Sequence, residues 1–292
     1  MRTLNKLTCS PIMPYYGGKT LHVDWINSYL PRSATAYIEG FAGSAAVGLS
    51  RPPCSIEIFN DFDPGVANLY RVLQTDAEEL RRRLRFTLHS RREHALCSGE
   101  EAARCRTPVA DPVADPIEWA RRHLVLIRQS FGAGFDGSWS YKRETGGNAF
   151  ASVGDLIPPA AHRLRNAKIE NLHFKDLIHQ YDFGPDGLSY FDPPYVPETR
   201  VAKKVYSCEM TVEEHELLLT LMNAMSGMVV LSGYRSNLYD QALGDWRRVE
   251  RSVAVLASNV SARSGTMAKP RRTECLWINP AAQERLRQEG RL

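Results

Sequence analysis

The short apolar run Ala36-Tyr37-Ile38-Glu39 passes directly into Gly40-Phe41-Ala42-Gly43-Ser44-Ala45-Ala46-Val47. A strand, then a turn of small residues, then a helix start is the opening unit of a doubly wound α/β sheet. Gly43 and Ser44 leave room for a ligand to approach the backbone. A second strand, Ser55–Phe59, ends in Asn60-Asp61-Phe62-Asp63. An acidic residue there, about 20 residues beyond the glycine turn, commonly grips a ribose through its hydroxyls. Asp63 suits the cap of a helix beginning at Pro64, which leaves Asp61 for the ribose. The glycines do not follow the Gly-x-Gly-x-x-Gly spacing, so a dinucleotide is poorly supported.

Ahead of this unit, Tyr15-Tyr16-Gly17-Gly18-Lys19 predicts a tight turn into a helix around residues 21–30, with backbone N–H groups and a lysine available to an anion. It lacks the spacing of a phosphate-binding loop. Beyond residue 75 the composition changes. Residues 77–88 read as an arginine-rich helix, 98–115 as a proline-bearing loop and 116–131 as a helix. Glycines, aromatics and bases then interleave: Trp139, Tyr141, Lys142 and Arg143 suit contact with phosphates and bases. Residues 158–166 read as a short helix and 168–172 as a strand, with Phe174 and Asp176 just beyond. That ring and carboxylate could hold an adenine, or they could be a packing residue and a helix cap.

The run Leu188–Phe191 delivers Asp192-Pro193-Pro194-Tyr195. An exocyclic amine on a nucleobase is a poor nucleophile, because its lone pair is delocalised into the ring. The Asp192 carboxylate can accept one of its N–H bonds and the Pro193 carbonyl the other. The nitrogen is thereby drawn toward sp3 geometry. Tyr195 either offers a flat face to the base or packs in the core. Residues 197–206, with Lys203 and Lys204, suit a mobile loop over the site. Thr211 opens a capped helix carrying His215, a residue better suited to structure than to catalysis. Strands at 228–232, 247–255 and 273–278 complete the sheet, and the link 257–272, with Arg271, could track a phosphate backbone.

The 292 residues suffice for a large core, and 43% of them are hydrophobic. No stretch has the length of a membrane span and no apolar leader opens the chain, which predicts a cytoplasmic protein. A net charge of +4 permits a polyanionic partner. None of the six cysteines forms a Cys-x-x-Cys pair, so no metal site is expected.

In their order, Tyr15–Lys19, Tyr37–Ser44, Asn60-Asp61 with Asn68-Leu69, Tyr190–Tyr195 and Thr273–Asn279 resemble the D12 class of DNA adenine (N6) methyltransferases, most nearly the bacteriophage-type members. Tyr15-Tyr16 stands where the family usually has an aromatic residue and alanine, and Gly40 where it usually has proline. The resemblance implies a class I S-adenosylmethionine-dependent methyltransferase sheet, Rossmann-like, formed by residues 1–75 and 166–292. Residues 76–165 would be an inserted, mainly helical target-recognition region. It implies S-adenosylmethionine as cofactor and double-stranded DNA as partner. Tyr15, Tyr16, Gly18, Lys19, Glu39, Phe41, Gly43, Ser44, Asp61, Phe62, Asp176 and Asp192 would surround the cofactor. Asp192, Pro193, Pro194 and Tyr195 would be catalytic, and Trp139, Tyr141, Lys142, Arg143, Lys203, Lys204 and Arg271 would meet DNA. Methylation of a cytosine amine, methylation of a protein glutamine and an inactive DNA-binding protein on the same fold stand as alternatives.

Overall fold

The computed structural model describes residues 9–15, 17–98, 115–130, 139–140, 152–196, 208–254 and 271–292. A seven-stranded sheet forms the centre. In chain order the strands are β1 (Ala36–Glu39), β2 (Ile56–Asn60), β3 (Lys168–Glu170), β4 (Gly187–Phe191), β5 (Met228–Tyr234), β6 (Arg247–Ala254) and β7 (Arg271–Ile278). Their spatial order is β3-β2-β1-β4-β5-β7-β6. The first five run parallel. β7 lies antiparallel between β5 and β6. Sequence order reverses between β1 and β4, and a crevice opens at such a switch point beyond the carboxyl ends of the strands. This doubly wound sheet with one antiparallel insertion is the class I methyltransferase arrangement expected from the sequence.

Alternation along the strands divides the core. Tyr37, Phe59, Leu188, Tyr190, Met228, Val230, Leu276 and Ile278 face one apolar cluster. Ile38, Ile58, Phe191, Val229, Leu231, Cys275 and Trp277 face the other. Strands buried on both faces read as continuous apolar runs, which is how β4 and β5 appear in the sequence.

Among the described residues, eleven helices flank the sheet: α1 (Val23–Ser28), α2 (Ala46–Leu49), α3 (Pro64–Thr75), α4 (Ala77–Arg85), α5 (Arg91–Cys97), α6 (Pro116–Gln129), α7 (Val153–Leu164), α8 (Phe174–Gln180), α9 (Val212–Ala224), α10 (Asn237–Ala242) and α11 (Pro280–Gln288). Asp63 caps α3 by accepting from the Gly65 N–H, as read from the sequence. Thr211 and Glu214 form the capping box of α9. His215 is fully buried there, its Nδ1 2.9 Å from the Tyr239 hydroxyl, which makes it a hydrogen-bonded structural residue. α7 begins five residues before the helix expected at 158. The prolines mimic a helix start, yet here they sit inside it, with Val153, Ile157, Ala160 and Leu164 buried on one side. Helices α4, α6 and α7 pack through Leu80, Leu84, Leu124 and Ile157 onto the same cluster as Tyr37. No described helix is long and apolar enough to cross a membrane.

Candidate active site

The glycine turn after β1 is fixed from three sides. Gly43 has φ +47°, a left-handed conformation, and a Cβ there would lie 2.9 Å from the Tyr15 ring. Its N–H donates to Asp61 Oδ2 at 2.7 Å, and its carbonyl accepts from the Tyr70 hydroxyl at 2.5 Å. The second Asp61 oxygen accepts from the Asp63 N–H at 2.9 Å. Asp61 therefore orders the turn in addition to facing the cleft. Burial, and after it the charge of Asp63, pushes its carboxyl up to about 7 against the pull of those two N–H groups.

The cleft beside this turn has an open volume of about 930 Å³. Tyr15, Gly18, Lys19, Glu39, Phe41, Gly43, Ser44, Asp61, Phe62, Asp192, Pro193 and Pro194 all line it. Two distant sequence segments thus meet in one crevice, at the carboxyl ends of β1, β2 and β4. Asn60, Leu172, His173 and Phe174 also line it. The Asn60 amide donates to the Gly40 and Leu172 carbonyls and its Oδ1 accepts from the Leu172 N–H, tying the β3–α8 link to the turn. Phe174 packs at 6.2 Å from Phe41, and His173 packs edge-on to Phe62 at 5.4 Å. An aromatic end results, suited to a flat heterocycle.

At the other end lies one buried ammonium. Lys19 Nζ donates to Asp192 Oδ1 and Oδ2 at 2.6 and 2.7 Å, to the Tyr195 hydroxyl at 2.7 Å and to the Gly17 carbonyl at 3.1 Å. Burial by itself would lower the Lys19 ammonium, but Asp192 and Glu274 together hold it above its ordinary value. Burial pushes the Asp192 carboxyl up to about 6; Lys19 draws it down and Glu274 pushes it further up. Glu39 is buried and raised to about 8, chiefly by loss of solvent, although the Tyr37 hydroxyl and the Gly48 N–H both donate to it.

Several residues fall elsewhere. Asp176 does not line the cleft: it is exposed in the first turn of α8, which His173 caps. The carboxylate two places after Phe174 points away because α8 turns its apolar face inward. Tyr195 is 7% exposed, its ring 4.2 Å from that of Tyr234 and its hydroxyl donating to Glu274 Oε1 at 2.8 Å. The packed alternative is thus the conformation seen. Trp139 lies 5.8 Å from the His89 ring, with the Arg91 guanidinium 5.0 Å above its own ring. Tyr16, Tyr141, Lys142, Arg143, Lys203 and Lys204 lie outside the described residues, as does the side chain of Arg271. Glu274 of β7 was not singled out from the sequence as a site residue, since strand position alone does not reveal which carboxylate turns toward Lys19.

Residues 15–99 match the family model described as D12 class N6 adenine-specific DNA methyltransferase. No curated protein matches the chain. Among solved structures, the rRNA methyltransferase aviRa from Streptomyces viridochromogenes aligns over 96% of this chain and 94% of its own, at 13% identity and TM-score 0.32. The matched segment spans the Gly-Gly-Lys turn, the glycine turn and Asp61, all gathered at the switch point of the sheet, and over residues 15–99 the chain is similar to the D12 class N6 adenine-specific DNA methyltransferases.

Proposed function

We propose that this enzyme transfers a methyl group from S-adenosylmethionine to the exocyclic amine of an adenine in double-stranded DNA, the base having left the duplex stack. The observation that carries the reading is the convergence of Asp192, Pro193 and the Gly43 turn on one cleft. The cofactor fits the donor set. The aromatic end of the cleft is formed by Phe62, His173 and Phe174, which suits the flat base of the cofactor. Among the described residues lining the cleft, Glu39, Asp61 and Asp192 accompany one ammonium, that of Lys19; burial raises all three carboxyls, and a cationic ligand favours their ionised forms. When bound, S-adenosylmethionine supplies an electrophilic methyl on a sulfonium.

The protein's part is positioning and electrostatics. Asp192, 17% exposed through its side chain, accepts one N–H of the amine, and the Pro193 carbonyl accepts the other. Extruding the base costs a few kcal/mol, least for an already weakened pair. In this reading Tyr195 serves through its hydroxyl, which links Lys19 to Glu274, and stacking of the base on its ring requires Tyr234 to shift. On the same reading residues 76–165 read the DNA through Arg91, Trp139, Tyr141, Lys142 and Arg143, and Lys203, Lys204 and Arg271 add contacts from outside that segment. The test is incubation of the protein with plasmid DNA and labelled cofactor, followed by digestion to nucleosides. Label in N6-methyladenosine is the expected result; label in N4-methylcytidine, or none, rejects it.

A further inference from the structure

Glu274 is a buried carboxylate, 3% exposed, placed on β7 opposite Tyr234 of β5. Its Oε1 accepts from the Tyr195 hydroxyl at 2.8 Å and from the Ser232 hydroxyl at 3.0 Å. The same oxygen lies 3.5 Å from Lys19 Nζ. Lys19 in turn has four acceptors within 3.1 Å. An ammonium has three protons, so its bonds are shared, and a small displacement suffices to exchange one acceptor for another.

This arrangement answers a difficulty raised by the methyl-transfer reading, on which the inference rests. Lys19 bonds both Asp192 oxygens and offsets the carboxylate's charge, which weakens Asp192 as an acceptor for the N–H of the target amine as long as Lys19 holds it. An ammonium displaced without a new partner would be left buried and uncompensated, which is costly. We propose that Glu274 is a positioning residue: it receives the Lys19 ammonium when Asp192 releases Lys19 and turns to the amine. Tyr195, hydrogen-bonded to both Lys19 and Glu274, guides the exchange. The ammonium keeps a carboxylate partner in both arrangements, and the site keeps its net charge.

Among the described residues, the charged and titratable groups near Glu274 are Lys19 and His22 from the N-terminal turn, Asp192 and Tyr195 after β4, Tyr234 at the end of β5, Arg251 opposite it on β6 and Arg272, over the Tyr234 ring, on β7. Glu274 is among the groups that push the Asp192 carboxyl up. Removing its charge should therefore let Asp192 ionise at lower pH.

The experiment compares wild type, Glu274→Gln, Glu274→Asp and Asp192→Ala in full chain, with labelled S-adenosylmethionine and plasmid DNA, across pH. Glu274→Gln is expected to lose about tenfold in kcat, with KM for the cofactor changed less than about twofold, because an interaction is lost after binding. The acid limb of its kcat–pH profile should move to lower pH. Wild-type kcat with an unmoved limb, or a loss confined to KM, overturns the proposal. If thermal melting shows Glu274→Gln unfolded, Glu274→Asp decides: its carboxylate is withdrawn from Lys19 by one methylene, so a lowered kcat supports the exchange and a wild-type kcat overturns it. Asp192→Ala separates the two levels, since activity retained there sinks the methyl-transfer reading itself.

Discussion

Two buried ion pairs sit at opposite ends of the same parallel sheet, and they differ in kind. At the amino-terminal end of β2, Arg163 of α7 donates to both oxygens of Glu57, with Nη2–Oε1 2.7 Å, and to the Gly48 carbonyl at 2.9 Å. Their side chains are 2% and 5% exposed. At the carboxyl-terminal end, Lys19 meets Asp192, which opens onto the cleft. A guanidinium is a planar fork that fixes one geometry, whereas an ammonium is a point charge that can pass between acceptors. The first pair locks α7 onto the sheet. The second is built to change partners, and two carboxylates share its single cation.

The largest expected effect separates the two pairs by what is lost. Arg163→Met strands Glu57 in the core and should destabilise the protein by roughly 3–5 kcal/mol, as breaking a buried pair generally does. Specific activity per folded molecule should stay near wild type. Denaturant unfolding together with an active-site titration checks both halves, and a lost activity in a stable variant would erase the distinction. Asp192→Asn should do the reverse. It removes the charge that accepts the amine, and methylation should fall about a hundredfold or more, while the melting temperature barely moves. A near-normal rate for this variant would mean that the amine is activated elsewhere.

The sequence made the residues of the second pair visible, though not their pairing, and concealed the first. Gly-Gly-Lys and Asp-Pro-Pro-Tyr are compact words, and the glycine turn and Asp61 follow from strand–turn logic. Glu57 lies in an ordinary strand and Arg163 in a helix whose start the prolines obscured; only the three-dimensional fold brings them together. Glu274 was hidden for the same reason, because its partners come from the N-terminal turn, from β5 and from the link after β4. Tyr195 shows a different limit. Both of its roles were weighed from the sequence, but the choice depends on Tyr234, some forty residues on, whose ring covers it at 4.2 Å.

A smaller effect concerns how the cleft stores charge. The raised carboxyl of Glu39, at about 8, means that the folded protein without ligand binds a proton that the unfolded chain releases. Its stabilising contribution is therefore full at low pH and is lost as pH rises through 8. Burial holds His22, His94 and His123 low, which works with the opposite sign, but their contribution is complete by about pH 7, above the ordinary histidine value. Between pH 7 and 8.5 the melting temperature of the unliganded enzyme should fall, and less so in Glu39→Gln. A cationic ligand should favour the ionised carboxylates and bind more tightly over the same range. Calorimetry in two buffers of different ionisation enthalpy should register proton release on binding. An affinity independent of pH would indicate that the carboxylates facing the cleft do not sense the ligand's charge.

The smallest effect brings the contrast down to two residues in one turn. Asp61 and Asp63 are neighbours of the same type, but Asp63 spends its side chain on the Gly65 N–H at the start of α3 and Asp61 on the Gly43 N–H at the cleft. Asp63→Ala removes a helix cap, a loss of about 1 kcal/mol, and should leave cofactor affinity unchanged. Asp61→Asn keeps the shape but sets an amide N–H against one of two backbone N–H donors, Gly43 or Asp63, whichever way the amide turns. The turn must then open on one side. Its cost should appear first as weakened cofactor binding, measured by calorimetry, because the loosened peptide forms the wall of the cleft. If Asp63→Ala weakens binding as much as Asp61→Asn does, the two carboxylates form one unit, and the division between holding the fold and serving the site does not reach this scale.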